Sequence, residues 1–321
     1  MRLPSEKLVL DRATPSDVAL RASTVGYLAF LAFAWGGNYA WTKLALADSG
    51  PWAFNALRYL CASIVLGAIL LARGREFSVL PLRGERLPLA VIGLLQIAIM
   101  TGASTLALTM IEASRTVLIA YSMPIWGMLL SIAILRERVT ARVFAGVVLG
   151  FAGLAFLCAP WSMDWTSPAA LLGSTLALGG TLGWALASVL YRRRSWRSDF
   201  WSQTFGQFLA ATAVMVPAAL LFEDRGVRLT ATFGGVLAWN VLAATIVAFY
   251  CWARALDRMS VVRASQFLLL SPVFGVLLSA AVLGEPLTPA LLVSGGLIIA
   301  GAVLSSTRRA SAEPTSTDRS R

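Results

Sequence analysis

The sequence predicts an all-α fold: a polytopic membrane protein of ten transmembrane helices arranged as two inverted five-helix repeats. Three observations lead there. Hydrophobic residues make up 58% of the 321-residue chain and charged residues only 13%, with a mean hydropathy of +0.74, whereas soluble domains carry about 25% charged residues. The charges fall in short blocks between long apolar runs. A set of residues also recurs at a spacing of 148 to 149 positions.

A hydrocarbon core about 30 Å thick is crossed by roughly 20 helical residues. Nine charge-free runs have that size: residues 24–42, 87–111, 116–135, 143–163, 165–191, 200–222, 229–253, 264–284 and 286–307. A tenth, 49–72, is interrupted only by Arg58. Helices are expected because backbone groups in lipid must be satisfied internally, and the runs lack the short alternation of barrel strands. Residues 1–23 mix charges, Pro and apolar residues and are expected to form an N-terminal tail without a cleavable leader, with 308–321 as the C-terminal tail.

Basic residues set the orientation. The two tails and the loops after even-numbered spans hold 22 Lys and Arg; the loops after odd-numbered spans hold 4. The positive-inside rule therefore places both tails and the even loops in the cytoplasm of a cell inner membrane. Ten spans satisfy this and nine do not, because an odd count separates the tails. The net charge of +11 is accounted for by these blocks, so nucleic acid is not an expected partner; the lipid bilayer is.

The chain has no histidine, and Cys61, Cys158 and Cys251 lie in separate runs without ligand spacing. That argues against a zinc or haem site, a histidine-based triad and a disulfide scaffold, and no metal or cofactor is expected. The phosphate-binding G-x-x-x-x-G-K-[ST] loop is absent, which argues against ATP hydrolysis.

The duplication is legible residue by residue. At an offset of 148, Pro124, Gly127, Leu130, Ser131, Ala133, Leu135, Glu137, Thr140 and Gly153 meet Pro272, Gly275, Leu278, Ser279, Ala281, Leu283, Glu285, Thr288 and Gly301. At 149, Trp35 meets Trp184, Lys43 meets Arg192, Arg58 meets Gln207 and Leu60 meets Leu209. Each half holds five spans, with the first repeat expected over residues 24–159 and the second over 160–307. An odd number makes the second copy enter the bilayer from the opposite side. Inverted halves packed together enclose a midplane site that rocking opens to either face, the physical basis of alternating access.

The run Trp35-Gly36-Gly37-Asn38-Tyr39 with Lys43, Arg58 early in span 2, and Ala113-Ser114 leading to Pro124 and Glu137 resembles the first half of an EamA-type repeat. Ala264-Ser265 through Pro272 to Glu285-Pro286-Leu287-Thr288 resembles the other copy. Over roughly residues 24 to 307 the chain is thus similar to the ten-helix exporters of the drug/metabolite transporter superfamily. The resemblance implies export of amino acids and related metabolites, with a small molecule as the partner.

Polar and aromatic side chains inside spans are the candidates to touch a substrate, because each is costly against lipid. Trp35, Asn38 and Tyr39 share one face of span 1 by their i, i+3, i+4 spacing. Gln96 on span 3, Tyr121 on span 4, Asn240 and Tyr250 on span 8, and Gln266 on span 9 join them, as do Trp184 and Ser188 on span 6. Helix-to-helix hydrogen bonding is the alternative use of each amide. The aromatic members favour an aromatic or large apolar amino acid as cargo, although Trp is also enriched at membrane interfaces. Pro124 and Pro272 each remove a helical hydrogen bond and are expected to kink spans 4 and 9, as hinges or gates beside the pathway, with a purely structural kink as the alternative. Arg58, the one ionisable group well inside a span, is assigned a structural or gating role, with attraction of a substrate carboxylate as the alternative. The glycines of span 5 (Gly146, Gly150, Gly153) and span 10 (Gly295, Gly296, Gly301) permit close helix contact within the chain or in a homodimer.

None of the sixteen acidic residues falls in a span core, so uniport, exchange and coupling through a peripheral group such as Glu112 are each compatible with the sequence. An integral-membrane enzyme or a non-transporting scaffold or receptor is the rival reading. Clustered acidic or ligating residues would mark the enzyme, and neither rival needs two opposed halves.

Overall fold

A computed structural model describes residues 15–74, 79–275 and 289–306. Helices succeed one another with short connections, and no strand occurs among the described residues. Span 1 consists of α1 (Pro15–Gly36) and α2 (Asn38–Ala45), and span 2 is α3 (Pro51–Ala72). Span 3 runs from α4 (Arg83–Gly93) through the π-helical turn Leu94–Ile99 into α5 (Met100–Met110). Span 4 comprises α6 (Ala113–Ala120) and α7 (Met123–Leu130), and α8 (Ala141–Cys158) is span 5.

From span 8 onwards the second half repeats the segmentation of the first, whereas span 6 is one unbroken helix. After α9 (Pro168–Arg193) and α10 (Phe200–Phe222) come α11 (Ala231–Val241), a π-helical turn at Leu242–Val247 and α12 (Ala248–Arg258), each offset by 148 from its counterpart in span 3. The same offset relates α13 (Val261–Leu268) to α6 and α14 (Pro289–Ser306) to α8. Conservation of a π-helical turn, an uncommon feature, at the same register is a structural signature of duplication.

Local sequence sets the boundaries. The side chains of Thr140, Ser167, Asp199, Thr230 and Ser260 accept backbone N–H bonds at the starts of α8, α9, α10, α11 and α13. Pro51 and Pro168 occupy first-turn positions, where a missing N–H costs nothing. Among the described residues, seven helices are long and apolar enough to cross a membrane, and two shorter apolar helices, Val261–Gly275 and Leu292–Ser305, follow them. The exterior of the bundle is apolar: Leu71, Leu87, Leu220, Leu221 and Leu229 are all at least 70% exposed, as a lipid-facing surface requires. The largest buried cluster joins both halves through Tyr59, Phe208, Phe249 and Trp252.

Three expectations are refined. Span 1 is broken at Gly37, where the sequence predicts an unbroken helix, and its helix starts at Pro15, within the expected tail. Span 4 is interrupted two residues before Pro124, at Tyr121 and Ser122. Pro124 has no N–H for the Ala120 carbonyl, and Ser122 closes the preceding turn by donating its N–H and its hydroxyl to the Ile119 carbonyl at 3.1 and 2.6 Å. Span 9 interrupts in the same way at Leu269, ahead of Pro272. The breaks of spans 1 and 9 face one another: a Cβ on Gly36 would lie 2.6 Å from the Ser271 carbonyl oxygen and 3.0 Å from the Gly275 nitrogen. Only glycine allows that approach.

Candidate functional site

Broken helices bring backbone and polar groups to the middle of a bundle, where they are tolerated only around a cavity or against protein. Here they border a cavity of about 110 Å³, space for on the order of eight water molecules. Its wall combines Trp35, Asn38 and Thr42 of span 1, Arg58 of span 2, Met100 to Leu108 of span 3, and Ala120 to Pro124 of span 4. The second half adds Trp184 of span 6, Phe249 of span 8, and Ser265 and Leu268 of span 9. Both repeats therefore build it.

The aromatic wall is continuous. Trp35 meets Trp184 edge to face with ring centroids 5.2 Å apart, and Phe249 lies 5.7 Å from Trp184. Trp252 continues the stack 6.0 Å from Trp184. Below it lies a much smaller pocket, lined by Gln96, Tyr191, Thr204 and Gln207 among others. The aromatic stack thus separates the cavity from the even-loop side, while Thr42, Thr105 and Leu108 carry its wall towards the odd-loop ends of spans 1 and 3.

The π-helical turn of span 8 organises the polar wall. Its Ala244 carbonyl accepts from the Trp35 indole N–H at 2.9 Å and from Arg58 Nη2 at 3.3 Å. Arg58 Nε donates to the Thr245 hydroxyl at 2.7 Å, and its guanidinium lies 5.3 Å from the Tyr59 ring centroid. Although Arg58 is only 6% exposed, no carboxylate is within ion-pair distance among the described residues. The Trp184 indole N–H and Asn38 Oδ1 also lack partners among the described residues.

On the even-loop face, Arg192 at the end of span 6 pairs with Glu137 after span 4 at 3.3 Å. Its guanidinium also donates to the carbonyls of Leu256 and Met259 at the end of span 8. This knot ties together the ends of spans 4, 6 and 8 on the side away from the cavity.

Of the residues singled out in the sequence, Trp35, Asn38, Arg58, Tyr121, Pro124 and Trp184 line the cavity. The others are placed elsewhere. Gln96 borders the small pocket. Tyr250 stacks on Trp201 with centroids 5.0 Å apart and planes 4° apart. Ser188 donates to the Trp184 carbonyl one turn earlier, and Asn240 donates in the same way to Val236. Gln266 is fully buried beside Gly150, and Pro272 belongs to the helical turn packed on Gly36. The Tyr39 side chain lies outside the described residues. Sequence reasoning passed over Thr42, Met100, Met123 and Phe249. Phe249 is the mate of Thr101 at offset 148, and both line the cavity. Buried Asn55 was also passed over; it donates to Pro51 and to Thr105, at 2.9 and 3.0 Å.

Comparisons with known proteins agree with this architecture. The uncharacterized transporter YvbV of Bacillus subtilis (strain 168) is 25% identical over 290 residues, covering 90% of this chain and 93% of that protein. The uncharacterized inner membrane transporter YedA of Escherichia coli (strain K12) is 27% identical over 284 residues, covering 87% and 89%. The uncharacterized protein PA1977 of Pseudomonas aeruginosa is 29% identical over 269 residues, covering 82% and 87%. A crystal structure shares the fold with a TM-score of 0.76 at 23% identity, over 89% of this chain and 96% of the other. The EamA-like transporter family model matches residues 23–159 and again 171–307. With two copies of that unit spanning most of its length, this multi-pass membrane protein belongs to the EamA-like transporter family.

Proposed function

We propose that this transporter exports small amphipathic metabolites, with amino acids as the leading class and aromatic or large apolar ones preferred, by alternating access across the inner membrane. One observation carries the reading: a cavity walled by both repeats that combines an apolar, aromatic lining with polar groups left without partners among the described residues. Binding sites for small amphipathic molecules have this composition. Trp35, Trp184 and Phe249 form the stacking wall, and Asn38 and Tyr121 orient polar ends of the cargo. The repeats correspond to residues 24–159 and 160–307 and are inverted, with both tails in the cytoplasm. In that orientation the cavity faces the outer half of the membrane and the Glu137–Arg192 knot seals the cytoplasmic side. The structure then represents the outward-facing member of an alternating pair. Gln96, Ser188, Tyr250, Asn240 and Gln266 lie away from this cavity and reach cargo only through the other member of that pair. The breaks at Pro124 and Pro272 are the hinges.

The test is counterflow of radiolabelled amino acids in proteoliposomes, comparing the native protein with Trp184→Ala and Asn38→Ala. Uptake of at least one aromatic or large apolar amino acid, reduced in both variants, is expected. Failure of any amino acid or amine to move would overturn the reading.

A further inference from the structure

We infer that Arg58 is an anion-recognition group, so that the cargo of this cavity carries a carboxylate; the inference rests on the cavity being the transport site. The guanidinium is always charged, and two of its five N–H donors are used, one on Thr245 and one on Ala244. Both acceptors are neutral. Nη1 has no acceptor among the described residues, and the side chain forms part of the cavity wall.

A cation in the membrane interior is costly unless it is paired or hydrated. Here the cost is lowered by the Ala244 carbonyl, the Thr245 hydroxyl and the Tyr59 ring, but no counter-charge is supplied among the described residues. The sequence offers none from any span core. The free edge of the guanidinium fork matches a carboxylate in shape, and such bidentate pairs are among the stronger hydrogen-bonded contacts in proteins.

A second observation also points to a ligand. Trp184 is 8% exposed, lines the same cavity, and has an indole N–H without an acceptor among the described residues. The indole N–H of Trp35 is by contrast committed to the Ala244 carbonyl that Arg58 shares. The cavity thus presents one fixed positive charge and one orphaned donor beside an apolar aromatic wall. An amphipathic carboxylate matches the charge and the apolar wall together, with its anionic end on Arg58 and its apolar body along Trp35, Trp184 and Phe249. A neutral amide leaves the charge unmatched, and a cationic amine is repelled. Arg58 is in this reading a specificity determinant, beyond a gate or a helix anchor. Its repeat mate is the neutral Gln207, so the second half does not duplicate the charge.

The test uses matched pairs that differ only at the anionic group: phenylalanine with phenylalaninamide, and 3-phenylpropionate with 3-phenylpropionamide. Counterflow in proteoliposomes is measured for native protein, Arg58→Gln and Arg58→Lys. The native protein should favour each acid over its amide by about tenfold or more, the range of a hydrogen bond to a charged group. Arg58→Gln should bring the two close to parity while still moving the amides, and Arg58→Lys should retain part of the preference. Equal native rates for acid and amide, or a preference that survives in Arg58→Gln, would overturn the inference. If nothing in the panel moves with native protein, it is the carrier reading with this cargo that falls. Should Arg58→Gln fail to fold, native selectivity decides together with thermal unfolding of the purified native protein. Stabilisation by the acids and not by the amides supports the site, and equal stabilisation by chloride alone overturns it as a carboxylate site.

Discussion

Trp35 and Trp184 are repeat mates that meet edge to face 5.2 Å apart, yet among the described residues only Trp35 has an acceptor for its indole N–H, the Ala244 carbonyl at 2.9 Å. The residue matching Ala244 at offset 148 is Gln96, and both lie in π-helical turns. Two equivalent sites are therefore held in unequal states, as the proposed alternating access requires of a carrier at one end of its cycle. Trp35→Phe removes a bond that this conformation makes, whereas Trp184→Phe removes none. The first should shift the equilibrium away from the cavity-open state by about 1 kcal/mol, roughly fivefold in population. A cysteine placed at cavity residue Ser104 reports this through its labelling by a membrane-impermeant maleimide. Labelling should fall in Trp35→Phe and not in Trp184→Phe; equal effects would remove the asymmetry argument.

Arg192 ties three chain segments together on the even-loop face, through Glu137 and the carbonyls of Leu256 and Met259. Its ion pair alone is partly exposed, and such pairs contribute at most about 1 kcal/mol. The added carbonyl bonds make Arg192 the larger contributor. Arg192→Ala should therefore open the closed face more than Glu137→Gln does. A cysteine at Thr204, which borders the small pocket behind the aromatic stack, measures this. Its labelling rate should rise several-fold in Arg192→Ala, by about 2 kcal/mol or less on the scale of hydrogen bonds to charged groups, and less in Glu137→Gln. An unchanged rate in Arg192→Ala would mean that the knot does not hold the gate.

How far the sequence revealed this depended on which physical signal each residue carries. Spans, their order and the duplication follow from hydropathy and register, which are properties of the chain itself. Trp35, Asn38 and Trp184 were legible because polar and aromatic groups inside a span must face protein or water. The same criterion selected Gln96, Asn240 and Gln266, which also face inward but towards neighbouring helices, and composition cannot separate those two destinations. Phe249, Met100 and Met123 line the cavity with side chains that lipid would accept equally well, so polarity gave no signal. The break at Gly37 was hidden because two consecutive glycines are tolerated in membrane helices. It became visible only through the packing of Gly36 on Ser271 and Gly275.

The glycine stripes of spans 5 and 10 separate into two kinds. A Cβ on Gly146 would lie 2.7 Å from the Gly301 carbonyl oxygen and 3.1 Å from the Ser305 nitrogen, while one on Gly296 meets nothing within 4 Å. Gly146 thus serves contact between α8 and α14 within the chain. Gly146→Ala should lower thermal stability in detergent by about 1 to 3 kcal/mol, the cost of overpacking a tight contact. Gly296→Ala should leave it within about 0.5 kcal/mol, as exposed substitutions usually do. Comparable losses in both variants would contradict this division of roles.

Two further clasps lie on opposite faces and are related by the repeat. On the odd-loop face Asp48 accepts from the Thr230 hydroxyl at 2.6 Å and pairs with Arg228 at 3.1 Å. On the even-loop face Glu85 accepts from the backbone N–H groups of Arg197 and Ser198 at 2.7 and 3.0 Å, and Ser198 Oγ accepts from Leu82 N–H. Asp48 and Arg197 correspond at offset 149, and Leu82 and Thr230 at 148. A contact that alternated with access would be made on one face and broken on the other. Both clasps are made together, so under the proposed alternating access they are assigned to the part of the bundle that stays fixed, and the knot at Arg192 to the part that moves. Cysteines at Asp48 and Thr230 joined by a short bismaleimide should therefore leave counterflow unchanged. The same linkage between cysteines at Glu137 and Arg192 should abolish it. Loss of transport on bridging 48 to 230 would place that clasp among the moving contacts and require the fixed frame to be drawn elsewhere in the bundle.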